Sequence, residues 1–105
     1  VGSAVDVVRF AAALDVPPKP PLLSAARTAE TIRRPDTPAD DERAAPVFYG
    51  LGWMVRPGPR GANLWHVGDM PGTSALVVRV ARRHTWTVLF NQRAEDGIAI
   101  DRALH

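Results

Sequence analysis

The fold is organised around the eight residues Trp65–Gly72, which read Trp-His-Val-Gly-Asp-Met-Pro-Gly. They stand where one strand-like apolar run ends and the next begins. Residues 69–72 have the composition of a tight turn, so the sequence predicts antiparallel strands on either side of it. The stretch also concentrates an imidazole, a carboxylate and two glycines. We expect it to line one wall of a substrate cleft whose other walls are not in this chain.

Outward from this turn, alternating apolar residues predict four antiparallel strands. They are expected at residues 47–56, 62–67, 73–81 and 85–92. In the first strand the odd-numbered residues from Val47 to Val55 form the larger apolar face, and two glycines on the other face suggest a close approach to the backbone. The last two strands are apolar on both faces, which suits central strands of a covered sheet.

Helices are predicted on both sides of these strands. Ser3 and Asp6 have the spacing of a capping box, and the helix that they open should end near Asp15, before consecutive prolines. Ser24 can cap a second, short helix over residues 25–33. Glu95 and Asp96 place acids in the first turn of a closing helix.

These elements predict the α+β class, with an antiparallel sheet of about four strands and helices at the N-terminal and C-terminal ends. We predict three segments along the chain. Residues 1–34 are helical, residues 35–46 form a mobile acidic loop rich in proline, and residues 47–105 form the sheet and the C-terminal helix.

Composition excludes several classes of function. The 105 residues contain no cysteine, which excludes disulfides, zinc–thiolate sites and cysteine nucleophiles. The net charge is only +2, and the pI near 9.9 reflects twelve arginines against the single Lys19, so nucleic acid is not the leading partner. No apolar run approaches the roughly 20 residues of a membrane helix. Because the chain begins at Val1, without methionine or a secretory signal, we expect it to be part of a longer polypeptide.

Several motifs resemble, in the same order, the C-terminal part of the serine β-lactamase and penicillin-binding-protein superfamily, in its class C and esterase-like branch. Residues 49–53, Tyr-Gly-Leu-Gly-Trp, look like a recurrent strand of that branch. His66-Val67-Gly68, followed by Pro71-Gly72, looks like its K/H-S/T-G motif and the turn after it. Residues 3–10 resemble the S-x-x-D-L-x-R-F helix that precedes these strands, and residues 85–91 resemble the closing strand.

The resemblance implies acyl transfer, in which a serine of an S-x-x-K motif attacks a carbonyl while a lysine and a tyrosine handle the proton. The chain has neither S-x-x-K nor Y-x-N, since none of Ser3, Ser24 and Ser74 has a lysine three positions later. We therefore expect this chain alone to be inactive. The resemblance implies no cofactor and no metal. The compartment stays open, with the cell envelope, secretion and the cytoplasm all compatible.

Four residues are the candidate site. By the resemblance, His66 takes the first position of the third motif and would donate a hydrogen bond near the nucleophile. Val67, Gly68 and Ser74 would contact the substrate. Val67 departs from the pattern, because valine cannot donate the hydrogen bond that a hydroxyl would give to a substrate carboxylate. This favours an ester or amide substrate over a β-lactam or D-Ala-D-Ala.

Alternatives remain open at this stage. The same sheet would serve binding or scaffolding in a non-catalytic relative. A basic stretch could bind single-stranded nucleic acid; it comprises Arg79, Arg82, Arg83, His84, Trp86 and Arg93. Asp40-Asp41-Glu42 could hold a metal, although adjacent acids in a loop do not fix coordination geometry. If segments of a larger fold are missing, we expect self-association through a bare sheet edge.

Overall fold

The computed structural model describes residues 2–15, 20–36 and 46–92. This part of the chain forms two helices and five strands: α1 Ala4–Ala12, α2 Ala25–Thr31, β1 Phe48–Tyr49, β2 Met54–Arg56, β3 Asn63–Met70, β4 Thr73–Val80 and β5 His84–Phe90. The strands make one antiparallel sheet in chain order. The predicted α+β class is confirmed. The closing helix and most of the acidic loop lie outside the described residues.

Helix α1 begins at the predicted capping box. The Ser3 hydroxyl accepts from the Asp6 amide at 3.3 Å, and the Asp6 carboxylate accepts from the Ser3 amide at 2.9 Å. This backbone hydrogen bond, followed by the one from the Ser3 hydroxyl, lowers the pKa of Asp6 below its ordinary value. The helix ends at Ala12, and residues 13–15 continue as a turn, in which the Asp15 amide donates to the Ala12 carbonyl.

Helix α2 is capped by Ser24, whose hydroxyl accepts from the Arg27 amide, and ends at Thr31, two residues before the predicted end. Its last carbonyl joins it to the sheet region, because Thr31 O accepts from the Leu51 amide at 3.0 Å. A helix of seven residues has little stability of its own, so this tertiary contact is what holds it in place.

The prediction of one strand over residues 47–56 is wrong, and among the described residues the sheet has five strands where about four were expected. Residues 50–53 form a turn in which the Gly50 amide donates to the Trp53 carbonyl at 2.7 Å and Gly52 adopts φ +82°. A Cβ at Gly50 would lie 2.5 Å from the Thr31 carbonyl oxygen, which only glycine permits. The turn folds β1 back onto β2.

This turn also changes which side chains are buried. Phe48 is only 4% exposed and belongs to the core, whereas Leu51, which was predicted on the apolar face with Trp53 and Val55, is 64% exposed. Trp53 and Val55 are buried as predicted. The alternation therefore holds after the turn, but it does not run through it.

The core lies between the helices and one face of the sheet. Its buried members are Ala11, Phe48, Trp53, Val55 and Leu64, with Leu14, Ile32, Ala62 and Val77 packed against them. Phe48, Val55 and Leu64 are successive cross-strand partners, so their side chains share a face. Burying one large apolar side chain of this kind contributes about 1.5–3 kcal/mol.

An ion pair joins the end of α1 to β4. The Arg79 guanidinium donates to both carboxylate oxygens of Asp15, with Nε to Oδ2 at 2.9 Å, and also to the Ala62 carbonyl at 3.1 Å. Arg79 is only 7% exposed. A planar guanidinium that donates two parallel hydrogen bonds to a carboxylate fixes the relative orientation of the two groups, in addition to pairing their charges. Arg79, predicted as part of a basic surface, instead lies buried in this pair.

Candidate active-site strand

The two edges of β3 are paired to different extents. Along one edge β4 pairs with β3 from Leu64 to Met70 without interruption. Along the other edge β2 pairs only with residues Asn63, Leu64 and Trp65. Within the described part of the chain, no strand lies against the second edge from His66 onward. The predicted motif His66-Val67-Gly68 therefore begins at the residue where the strand loses its neighbour.

The hairpin fixes the direction of each group on β3. Pro71-Gly72 is a two-residue connection between the partners Met70 and Thr73, and Gly72 adopts φ +83°, as glycine does in such turns. In an antiparallel pair, successive residues direct their backbone N–H and C=O alternately toward the partner strand and away from it. Met70, next to the turn, faces β4, so Val67, three residues earlier, directs its N–H and C=O toward the edge away from β4. The open edge thus presents a main-chain donor and acceptor beside His66.

Side chains on β3 alternate between the two faces of the sheet. His66 shares a face with its partner Val77, which packs against the core, and Gly68 follows on the same face. Val67 points to the opposite face and is 50% exposed. His66 and Gly68 therefore lie together on one face of the sheet, and Val67 presents its backbone N–H and C=O at the open edge.

His66 is exposed at the surface and contacts a residue that precedes it by 17 positions. The Tyr49 hydroxyl lies 3.4 Å from His66 Nδ1, with the two ring centroids 6.3 Å apart and the rings tilted by 52°. Sequence reasoning assigned Tyr49 to a strand and missed this contact. The two glycines at positions 50 and 52, which mark a turn, were the signal that Tyr49 ends its strand.

Gly68 is not required by the backbone of β3. Its φ is not positive, and an added Cβ would lie 3.6 Å from the Ala75 Cβ, an ordinary van der Waals contact. Gly72, by contrast, does adopt a positive φ in the turn. What glycine provides at position 68 is open space next to the imidazole.

Ser74 lies apart from His66. It is the cross-strand partner of Asp69, so its side chain lies on the face opposite to His66. It is buried, and its hydroxyl donates to the Gln92 carbonyl at 2.9 Å. Its hydrogen bond ties the start of β4 to the chain that follows β5, and the structure does not place it beside the candidate site.

A surface depression lies apart from these residues. A shallow depression of about 1140 Å³ lies between α1 and the turns that follow β2 and β4, with Phe10, Leu14, Arg60 and Arg83 among its lining residues. None of His66, Val67 and Gly68 lines it. We place the candidate site at the open edge because the motif and the free backbone coincide there, whereas the depression is only a wide surface hollow.

Metal and membrane sites receive no support from the described residues. No cluster of three histidine, aspartate or glutamate side chains in these ranges could hold a metal ion, and Asp40-Asp41-Glu42 lies outside them. Neither described helix has the length and apolarity needed to span a bilayer.

A family model for β-lactamase matches residues 1–105, the whole of this sequence. The chain belongs to the β-lactamase family. No curated protein and no solved structure matches it. Family membership confirms the predicted resemblance to the serine β-lactamase and penicillin-binding-protein superfamily and makes the chain related to serine hydrolases.

Proposed function

We propose that this chain supplies the strand that borders the acyl substrate in a β-lactamase-related serine hydrolase, while the nucleophilic serine comes from elsewhere in a longer polypeptide. The observation that carries the proposal is the end of β2–β3 pairing at Trp65. The edge of β3 opens at His66, the first residue of the motif that resembles the family's third motif.

The open edge suits an extended acyl compound. A substrate lying along residues 66–70 would exchange main-chain hydrogen bonds with Val67, as an added strand does. His66 would donate a hydrogen bond to a substrate oxygen, and Gly68 would leave room for the acyl group. When a serine oxygen attacks the carbonyl carbon, negative charge moves to the carbonyl oxygen, and fixed donors stabilise that charge.

An ester or a simple amide is the favoured substrate class. The family's usual hydroxyl at the second motif position is replaced here by Val67, whose side chain offers no donor to a substrate carboxylate. A β-lactam or a D-Ala-D-Ala peptide depends on that carboxylate for recognition. Substrates without it lose nothing by the change.

Binding and labelling together test this proposal. Phenylacetylglycine amide, an unreactive acyl amide, should shift the backbone amide resonances of His66, Val67 and Gly68 when it is titrated into the chain. His66→Ala should weaken the affinity roughly 2- to 12-fold, the value of one hydrogen bond. His84→Ala is the matched control, since His84 begins β5 and is also exposed.

The covalent arm uses a fluorophosphonate and a fluorescent penicillin. This chain should take neither label, whereas a longer polypeptide that contains it should be labelled at a serine outside residues 1–105. Label at Ser3, Ser24 or Ser74, or resonance shifts that avoid residues 66–68, would overturn the proposal. Binding at the strand without any label in the longer polypeptide would favour the non-catalytic relative.

A further inference from the structure

The contact between Tyr49 and His66 is unusual in its placement. Tyr49 is 42% exposed and lies outside the core cluster, yet its hydroxyl is directed at one specific atom, His66 Nδ1, at 3.4 Å. Among the described residues this hydroxyl is the one side-chain group within hydrogen-bonding distance of either ring nitrogen of His66. A large aromatic side chain at the surface, Tyr49, thus contacts the imidazole of His66 through its hydroxyl.

The position of Tyr49 is fixed by the turn that follows it. The Gly50 amide donates to the Trp53 carbonyl, and the Leu51 amide donates to Thr31 at the end of α2. Gly50 itself lies so close to the Thr31 carbonyl that no Cβ fits. Three constraints therefore act within two residues of the tyrosine, and they tie its backbone both to the sheet and to α2.

The chemistry of the pair selects one arrangement of protons. A neutral imidazole has one N–H donor and one bare nitrogen acceptor. A phenolic O–H is a good donor, and its oxygen is a poorer acceptor because its lone pair is shared with the ring. The favoured hydrogen bond therefore runs from the Tyr49 hydroxyl to a bare Nδ1, which leaves the proton of His66 on Nε2.

We propose that Tyr49 is a positioning residue that holds His66 as the Nε2–H tautomer and presents that N–H to a ligand as a hydrogen-bond donor. The group recognised is an acceptor oxygen, the carbonyl or carboxylate oxygen of an acyl compound. This use of the donor rests on the function proposed above, but the tautomer itself does not. A histidine fixed in this way meets a ligand oxygen without first exchanging its proton, which reduces the cost of binding.

Nitrogen NMR of the imidazoles tests the proposal in the ligand-free chain. At about pH 9, where histidine side chains are ordinarily neutral, the ¹⁵N shifts of the ring nitrogens report the two tautomers. His66 should show a larger Nε2–H to Nδ1–H ratio than His84, which has no side-chain partner among the described residues. Tyr49→Phe keeps the ring and removes the hydroxyl, and it should lower the His66 ratio roughly 2- to 12-fold.

Thr73→Val is the matched control. It also removes one exposed hydroxyl, which donates to the Phe90 carbonyl at 2.9 Å, and it should leave the His66 ratio unchanged. An unaltered amide spectrum outside residues 48–54 and 64–68 shows that Tyr49→Phe folds normally. The proposal is overturned if His66 and His84 have equal ratios, or if Tyr49→Phe leaves the His66 ratio unchanged.

The ligand experiment separates this inference from the proposed function. Phenylacetylglycine amide should bind Tyr49→Phe less tightly than it binds the parent chain. If the tautomer shift occurs and no ligand binds at residues 66–68, Tyr49 still positions His66 but the acyl site is rejected. If the ligand binds there and the tautomer does not respond, the acyl site stands and the role of Tyr49 is rejected.

Discussion

One strand, β3, behaves as two different regions. Near its start, Leu64 and Trp65 are paired on both edges, and Leu64 is 0% exposed at the centre of the core. Residues 66–70 continue the same strand, but among the described strands only β4 pairs with them, and Val67 and Met70 are among the most exposed large apolar side chains. The difference shows that a continuous strand can be structural in one half and available for binding in the other.

The cause of this difference is the turn at residues 50–53. It delays the start of β2 to Met54, so β2 reaches only as far as Trp65 on its neighbour. An uninterrupted strand over residues 47–56 would have covered the edge beside His66 with backbone hydrogen bonds. The turn therefore positions Tyr49 and uncovers the edge at the same time.

The strongest test of the comparison is the stability of the two halves. Leu64→Ala removes a fully buried side chain from the paired half and should lower the free energy of unfolding by about 2–5 kcal/mol. Val67→Thr in the open half keeps the branched shape at an exposed position and should stay within about 0.5 kcal/mol of the parent chain. Urea unfolding followed by tryptophan fluorescence measures both. Equal losses would show that Val67 is buried after all.

The second test concerns the turn that separates the halves. Gly50→Ala places a methyl group 2.5 Å from the Thr31 carbonyl, and the forced shift should cost about 1–3 kcal/mol. Gly68→Ala is the matched control, because its methyl group meets Ala75 at an ordinary 3.6 Å. A chain that tolerates Gly50→Ala without loss would contradict the close contact between the turn and α2.

Hydrogen exchange compares the two halves directly. The Trp65 amide is directed toward β2, whereas the Val67 amide is directed toward the open edge. We expect Val67 to exchange at least about tenfold faster than Trp65, a difference of about 1.4 kcal/mol in protection. Equal protection would mean that another segment covers this edge, including a second copy of the chain paired edge to edge.

The smallest expected effect comes from acid. The folded state lowers the pKa of Asp6, so its contribution to stability is complete above the ordinary aspartate pKa of about 3.9 and is lost as the pH falls through the lower folded value. Acid should therefore loosen α1, which packs over β4 and β5, and leave the exchange of residues 66–70 unchanged. Asp6→Asn should remove this dependence, and Asp36→Asn is the control. A transition that persists in Asp6→Asn would assign it to another carboxylate.

Much of the molecule follows from local rules that the sequence displays. Ser3 and Asp6 have the spacing and chemistry of a capping box, and Pro71-Gly72 can form little other than a turn. The alternating apolar residues from Thr73 onward predict a strand, and Leu76 and Val78 are indeed buried. In each case the deciding interaction lies within a few residues of the pattern.

The sequence-based predictions differ from the structure where a contact between residues distant in sequence determines the local structure. The alternation of residues 47–56 is compatible with one strand, and only the Thr31 carbonyl, some twenty positions earlier, makes Gly50 part of a turn. The sequence around Arg79 is typical of a basic surface, whereas in the structure Arg79 forms an ion pair with Asp15. Ser74 was predicted to contact the substrate, and the structure shows its hydroxyl donating to the Gln92 carbonyl, 18 positions later.

By itself the sequence determined the class of fold, the family to which the chain belongs and the order of the described elements other than β1 and β2, because these depend on periodicity, turn chemistry and ordered motifs. Only the tertiary structure decided that, among the described residues, no strand covers the edge of β3 from His66 onward and that Tyr49 meets the imidazole. The physical reason is that the open edge and the Tyr49 contact depend on where the partner strand stops and on side chains 17 positions apart, and no local pattern encodes such distances.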